Sequence, residues 1–189
     1  MFNQLRDDAS KIFYHSIEKV KPEKATLDTL DRLEDRAQIE RVTLIAIGKA
    51  AWRMAKAASD NLGEKVLQGI VITKYGHSFG TIPKMTIYEA GHPLSDSNTL
   101  EATAHAIQMA EALTADDTVM MLISGGGSAL FEYPVEGISL GDIIDVSEQL
   151  IKSGANITEI NTLRKRLSSV KAGKFAEICA PARIISLVL

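Results

Sequence analysis

Apolar residues at Leu5, Ala9, Ile12, Phe13, Ile17 and Val20 recur at spacings of three and four, which draws one stripe along a first helix. Pro22 is expected to end it, and a charged linker to about Glu40 leads into Val42–Ile47, an unbroken apolar run of strand length. Gly48 follows at once, then the helical pattern AAWRMAKAASDNL, closed near Gly63. Gln68–Thr73 and Lys84–Glu89 read as second and third strands. Ser97–Leu113 is rich in alanine, and Asn98 with Glu101 stands at capping-box spacing, so a strong helix is predicted there. Thr118–Ile123 is a purely apolar fourth strand that runs into Ser124-Gly125-Gly126-Gly127-Ser128. Three helical pieces come next. Ser139 with Asp142 caps Leu140–Ser153, Asn156 with Glu159 caps Ile157–Leu167, and Lys171–Cys179 stops at Pro181. The chain then enters Arg183–Leu189, RIISLVL, whose continuous apolar character is that of a strand buried on both faces.

Strands alternating with helices call for right-handed crossovers and a doubly wound, Rossmann-like parallel α/β sheet with flanking helices. The absence of a polar tail after RIISLVL suggests a truncated domain, part of something longer.

Composition narrows the function classes. The apolar share is 46% and the charged share 24%, both ordinary for a globular domain, and the 189 residues suffice for one core. A net charge of −3 supplies no basic face, so no nucleic-acid partner is expected. No apolar run approaches a membrane span, and MFNQLRDDASKIF mixes charge signs unlike a signal peptide, so the expectation is a cytoplasmic protein with no membrane partner. The single Cys179 excludes an internal disulfide framework and a cysteine zinc site, and the histidines lack metal-ligand spacing. No metal-ligating residue is assigned. Cys179 reads as core.

In open parallel sheets ligands sit beyond the carboxyl ends of strands, and two such loops are unusual. In Ile47-Gly48-Lys49-Ala50 a lysine stands at the start of a helix, where it opposes the helix dipole unless an anion shares the site. The plain alternative is a solvated lysine after a turn glycine. In Ser124–Ser128 three glycines free consecutive amides to converge as an anion nest, with two serine hydroxyls beside them. The alternative is a flexible connection, although a simple turn needs only one glycine. Neither loop is a P-loop or a GxGxxG. His92 and Asp96, in Ala90-Gly91-His92-Pro93-Leu94-Ser95-Asp96-Ser97, either bind substrate or shape a turn and cap a helix. Tyr75-Gly76-His77 poses the same choice. Arg164, Lys165, Arg166, Lys171 and Lys174 form a basic run whose ordinary reading is a solvated face, and His15 and His105 read as structural.

The order and spacing of Ala46-Ile47-Gly48-Lys49-Ala50, Ala90-Gly91-His92-Pro93, Ser124-Gly125-Gly126-Gly127-Ser128-Ala129-Leu130 and Asn161-Thr162-Leu163-Arg164-Lys165 resemble the bacterial and archaeal glycerate 2-kinases. Those proteins carry a C-terminal MOFRL domain and were long labelled hydroxypyruvate reductases. The resemblance runs from about Arg41 to the end, and more loosely through the first helix. Two motifs depart from the family pattern: His92-Pro93-Leu94-Ser95-Asp96 replaces His-Pro-Val-Pro-Asp, and Lys171-Ala172-Gly173-Lys174-Phe175 replaces Lys-Gly-Gly-Arg-Leu. Family members continue into an acidic Ser-Asp-Val and Gly-Asp segment, further sheet and a second domain that holds an arginine implicated in catalysis. The resemblance therefore covers an N-terminal nucleotide-binding domain, residues 1–189, without the MOFRL domain, and the fragment alone is expected to be inactive.

The resemblance implies transfer of the ATP γ-phosphoryl to the 2-hydroxyl of D-glycerate, giving 2-phosphoglycerate with Mg²⁺. It makes Lys49 the catalytic lysine, and Gly48 and Ser124–Ser128 (Gly125, Gly126 and Gly127 between the serines) the cradle for nucleotide phosphates. His92, Asp96, Arg164 and Lys171 are the expected substrate contacts. A homodimer is compatible with it. The hydroxypyruvate reductase alternative would need a dinucleotide fingerprint with an acidic residue ~20 positions on. Asp145 stands 18 after Gly127, but a helix is predicted where a strand should end. A non-catalytic nucleotide-binding fragment is the third reading.

Overall fold

The structure, a computed structural model, describes residues 2–33 and 39–189. Helices α1 (Phe2–Lys19) and α2 (Pro22–Arg32) precede strand β1 (Val42–Ile47) and helix α3 (Ala51–Leu62). A short 3₁₀ turn at Gly63–Lys65 leads to β2 (Val66–Lys74), and β3 (Met85–Ala90), α4 (Ser97–Glu111) and β4 (Thr118–Ile123) follow. The last elements are α5 (Gly127–Leu130), α6 (Leu140–Lys152), α7 (Ile157–Leu167), α8 (Lys174–Ile178) and β5 (Arg183–Val188).

The five strands are all parallel, in the order β3-β2-β1-β4-β5, so the fold is the doubly wound α/β sheet expected from the sequence. The central strands are continuous apolar runs because both faces are covered. On one face Leu44, Ala46, Met120 and Leu122 pack against Met54, Ala55 and Ala58 of α3 and Leu30 of α2. On the other, Ile45, Ile47, Val119 and Met121 pack against Ala102, Ala106 and Met109 of α4 and Phe175 and Cys179 near α8. Alternation along each strand thus feeds two cores.

Four expectations are corrected. The linker from Pro22 is helix as far as Arg32, with Pro22 at the first helical position, where its missing N–H costs nothing. The rest of that linker, residues 34–38, lies outside the described residues. The cap of α4 is Asp96 with Thr99, the carboxylate accepting from the Thr99 amide at 3.0 Å, whereas the Asn98 side chain donates to the Glu89 carbonyl. Helix α8 begins only at Lys174, because the preceding turn places Ala172 and Gly173 at positive φ. Finally, among the described residues β5 is not buried on both faces: it pairs with β4, and of its side chains only Leu187 is buried. Helix α1 forms as predicted, yet none of its residues is buried.

Candidate functional site

Strands β1 and β4 run side by side in register, Ile47 opposite Ile123, so the loops after them emerge together. Strand order reverses here: the chain winds outward from β1 through β2 and β3, then returns to β4 on the other side of β1. Such a reversal opens a crevice at the carboxyl ends of the strands.

The two loops are laced through their main chains. The Lys49 amide donates to the Gly125 carbonyl at 2.9 Å, and the Ser124 amide to the Ile47 carbonyl at 2.9 Å. The Ala50 amide donates to Ser124 Oγ at 3.0 Å. This approach requires a glycine at position 48, where φ is 120° and a Cβ would stand 2.5 Å from the Ser124 carbonyl oxygen. Thr73 Oγ1 donates to the Gly48 carbonyl at 3.0 Å and fixes the turn from below.

Above this platform lie the groups able to meet an anion. Lys49 is exposed, and its stem follows the glycine loop: Cε is 3.9 Å from where a Gly125 Cβ would sit, and Cγ 3.2 Å from that of Gly126. Gly126 holds a φ of 92°, the left-handed conformation found where successive amides form an anion nest. Among the described residues the Gly125 and Gly126 amides donate to no protein acceptor. The His92 ring covers the other side, its Nε2 3.0 Å from the Gly126 Cβ position. Arg164 closes the rim by donating to the Ser128 carbonyl at 3.3 Å.

The structure therefore brings Gly48, Lys49 and His92 against Gly125 and Gly126 of the glycine loop, while Gly127, Ser128 and Arg164 line the cavity beside it. Three other expected site residues are otherwise engaged. Ser124 is buried, its hydroxyl spent on Ala50 and Ile47. Asp96 caps α4 and accepts from Tyr75 Oη at 2.7 Å. Desolvation would raise the Asp96 carboxyl, but hydrogen bonds from Tyr75, Thr99 and Gly91 hold it below the ordinary range. Lys171 turns inward, donating to Glu132 at 2.5 Å and to the Phe131 carbonyl at 2.9 Å. Burial pushes the Lys171 ammonium down, against the pull of Glu132.

Sequence reasoning missed Glu132, an acidic residue fully buried beneath the loop; its sole signal was a charge in an apolar stretch after the glycines. It also left His77 undecided, whose Nδ1 lies 3.1 Å from the Lys49 carbonyl. Beside the loop opens a cavity of about 540 Å³, lined by Ile123, Phe131, Val170, Phe175, Cys179 and Ile184 with Arg164 and Lys171 at its edge. Asp145 lies within α6 and not at a strand end, where a dinucleotide fold places its ribose-binding acid. Among the described residues no three side chains are grouped to hold a metal ion, and no helix is long and apolar enough to cross a membrane.

Comparison with known proteins follows the same lines. A family model described as a domain of unknown function (DUF4147) matches residues 8–189. The chain is 51% identical to a D-glycerate 2-kinase of Thermotoga maritima, over 98% of this chain and 43% of that protein. It is 36% identical to a glycerate 2-kinase of Pyrococcus horikoshii, over 97% of this chain and 43% of that one. A crystal structure of glycerate kinase from Thermotoga maritima superposes with a TM-score of 0.93 at 51% identity, covering 99% of this chain and 44% of the other. The chain thus spans less than half the length of the relatives it matches.

Proposed function

The chain belongs to the DUF4147 family, and from that premise we propose that it forms the phosphate-handling part of an ATP-dependent D-glycerate 2-kinase. The reaction moves the γ-phosphoryl of ATP to the 2-hydroxyl of D-glycerate, giving 2-phosphoglycerate and ADP. One observation carries this reading: a lysine and two glycine amides that have no partner among the described residues meet where the sheet order reverses, in a chain whose relatives are named glycerate kinases. Phosphoryl transfer asks a protein mainly for positioning and for positive charge where negative charge moves. Lys49 supplies the charge, Gly125 and Gly126 supply amide donors, and Gly48 with Ser124 keeps both loops in place.

The neighbouring cavity has the size and apolar lining suited to a nucleoside base, with phosphates reaching the loop through the Ser128 side. Arg164 is placed to meet an anionic group there. The described residues do not build a magnesium cage, since Asp96 is a cap and Glu132 is paired with Lys171. In this reading magnesium enters with ATP, bound through phosphate oxygens and water.

The test is a coupled assay on the polypeptide made from the complete open reading frame, with ATP and D-glycerate. Product should form, and Lys49→Ala should lower kcat on the order of 10²-fold or more while moving the glycerate KM far less. Residues 1–189 alone should bind ATP and turn over no glycerate. A Lys49→Ala enzyme with normal turnover would remove Lys49 from the chemistry. NADH-dependent reduction of hydroxypyruvate by the same polypeptide would replace the kinase with the reductase.

A further inference from the structure

Transfer to a hydroxyl releases a proton, and something must take it. We infer that His92 is the proton acceptor for the substrate hydroxyl, an assignment that rests on the kinase reading above. The inference begins with the titratable groups at this end of the sheet. Asp96 Oδ1 accepts from the Thr99 amide at 3.0 Å and from the Thr99 hydroxyl at 3.2 Å, and Oδ2 accepts from Tyr75 at 2.7 Å. Glu89 Oε1 accepts from the amides of His77 and Ser78 at 3.1 and 3.0 Å and from Ser78 Oγ at 2.7 Å. Glu132 lies buried against Lys171. His77 meets the Lys49 carbonyl through Nδ1 at 3.1 Å, and no contact places it on the glycine loop. Each of these groups already performs a structural task.

His92 differs on both counts. Among the described residues its ring makes no hydrogen bond, and it is half-buried rather than solvated. Its Nε2 and the Lys49 Cγ lie within 3.2 Å of one point, the missing Cβ of Gly126. A base and a cation thus flank Gly126 of the glycine loop. Against the same Gly126 position as His92 stands Lys49 from the β1 loop, while Asp96, bonded to Tyr75, lies beside Gly91, the residue before the histidine.

The step balances simply. The hydroxyl oxygen forms a bond to the γ-phosphorus with its lone pair, and the bond from that phosphorus to the bridging oxygen breaks. ADP leaves with the electron pair. The hydroxyl proton passes to His92 Nε2, giving an imidazolium that later yields it to water. A positioned base of this kind contributes typically ~10²–10⁴-fold.

His92→Gln keeps the size and one donor but removes the base. In the polypeptide from the complete open reading frame, it should lower kcat by ~10²-fold or more. Michaelis constants for ATP and D-glycerate should stay within about threefold, and the ATP-induced rise in melting temperature should be kept. The parent's kcat should fall on the acidic side over the imidazole range, and that limb should vanish in the variant. A kcat within a few-fold of the parent, a loss confined to the glycerate KM, or an acidic limb unchanged by the substitution would overturn the assignment. The parent's own pH profile judges it even if the variant does not fold, since a profile without an acidic limb excludes a histidine base. A folded parent that makes no 2-phosphoglycerate would overturn the kinase reading itself, a result distinct from all of these.

Discussion

Gly48→Ala should be among the most destabilising single-methyl additions available to this protein. The new Cβ would stand 2.5 Å from the Ser124 carbonyl oxygen and 2.8 Å from its carbonyl carbon, both backbone atoms that cannot swing aside. The residue would also hold a φ of 120°, outside the region open to alanine. Backbone strain of this type costs on the order of 1–3 kcal/mol, and overpacking against fixed atoms costs roughly 1–3 kcal/mol more. The sum approaches about 4 kcal/mol, a large share of the ~5–15 kcal/mol that holds a domain folded. For a chain of this length that predicts a melting temperature lower by about 8–16 °C. Gly126→Ala is the control. Its φ is 92°, but its Cβ meets only the ends or stems of His92 and Lys49, at 3.0–3.2 Å, and side chains can yield. It should lose less than half as much stability yet abolish the ATP-dependent gain in melting temperature, which a ligand of the native state must otherwise confer. Differential scanning fluorimetry with and without ATP reads all four quantities. A Gly48→Ala protein melting within 2–3 °C of the parent, about 1 kcal/mol, would refute the claim that close loop approach fixes this glycine.

Three further outcomes follow from side-chain partnerships. Lys171→Met should cost about 3–5 kcal/mol by urea unfolding because Glu132 is left buried without its cation, and adding Glu132→Leu should recover much of the loss. Hydrogen bonds from Ser78 hold the Glu89 carboxyl below its ordinary value, so the stability it confers is full above the unfolded value of about 4.3 and disappears as pH falls through the lower folded value. Unfolding curves of the parent and Glu89→Gln should therefore differ at pH 7 and converge in acid; a gap unchanged at pH 2 would contradict this. Burial pushes the Cys179 thiol up to about 11, so a thiol reagent at pH 8 should label it only after denaturant unfolds the chain.

The sheet was legible because its strands are almost pure apolar runs, and β1 and β4 match the predicted limits residue for residue. Capping boxes at Ser139 and Asn156 were equally plain, since their partners stand three residues on and nothing competes for them. Asn98 misled because the Glu89 carbonyl claims its side chain, a contact nine residues away that no local pattern reveals. The apolar run of β5 reports a capacity for burial, of which the described residues use little beyond Leu187. At the site, Lys49 and the glycines were readable as backbone-shaping and charged residues beside strand ends. The different fates of Ser124, Asp96 and Lys171 were not, because each depends on a partner brought in from another element.

The lacing of the two loops bears on how freely this site can change. Among the described residues its bonds run mostly from amide to carbonyl, joined by the Ser124 hydroxyl between the loops and the Thr73 hydroxyl beneath them. Geometry written in main-chain atoms is indifferent to most replacements, so Ala50 or Ser128 can vary while the platform keeps its shape. Inheritance of the platform then reduces to a short message: no side chain at position 48, hydroxyls at 73 and 124, and two strands held in step. The charged and basic groups beside the loops stand outside that message. A lineage could exchange Lys49, His92 or Arg164 for other chemistry and retain the same scaffold beneath a different reaction.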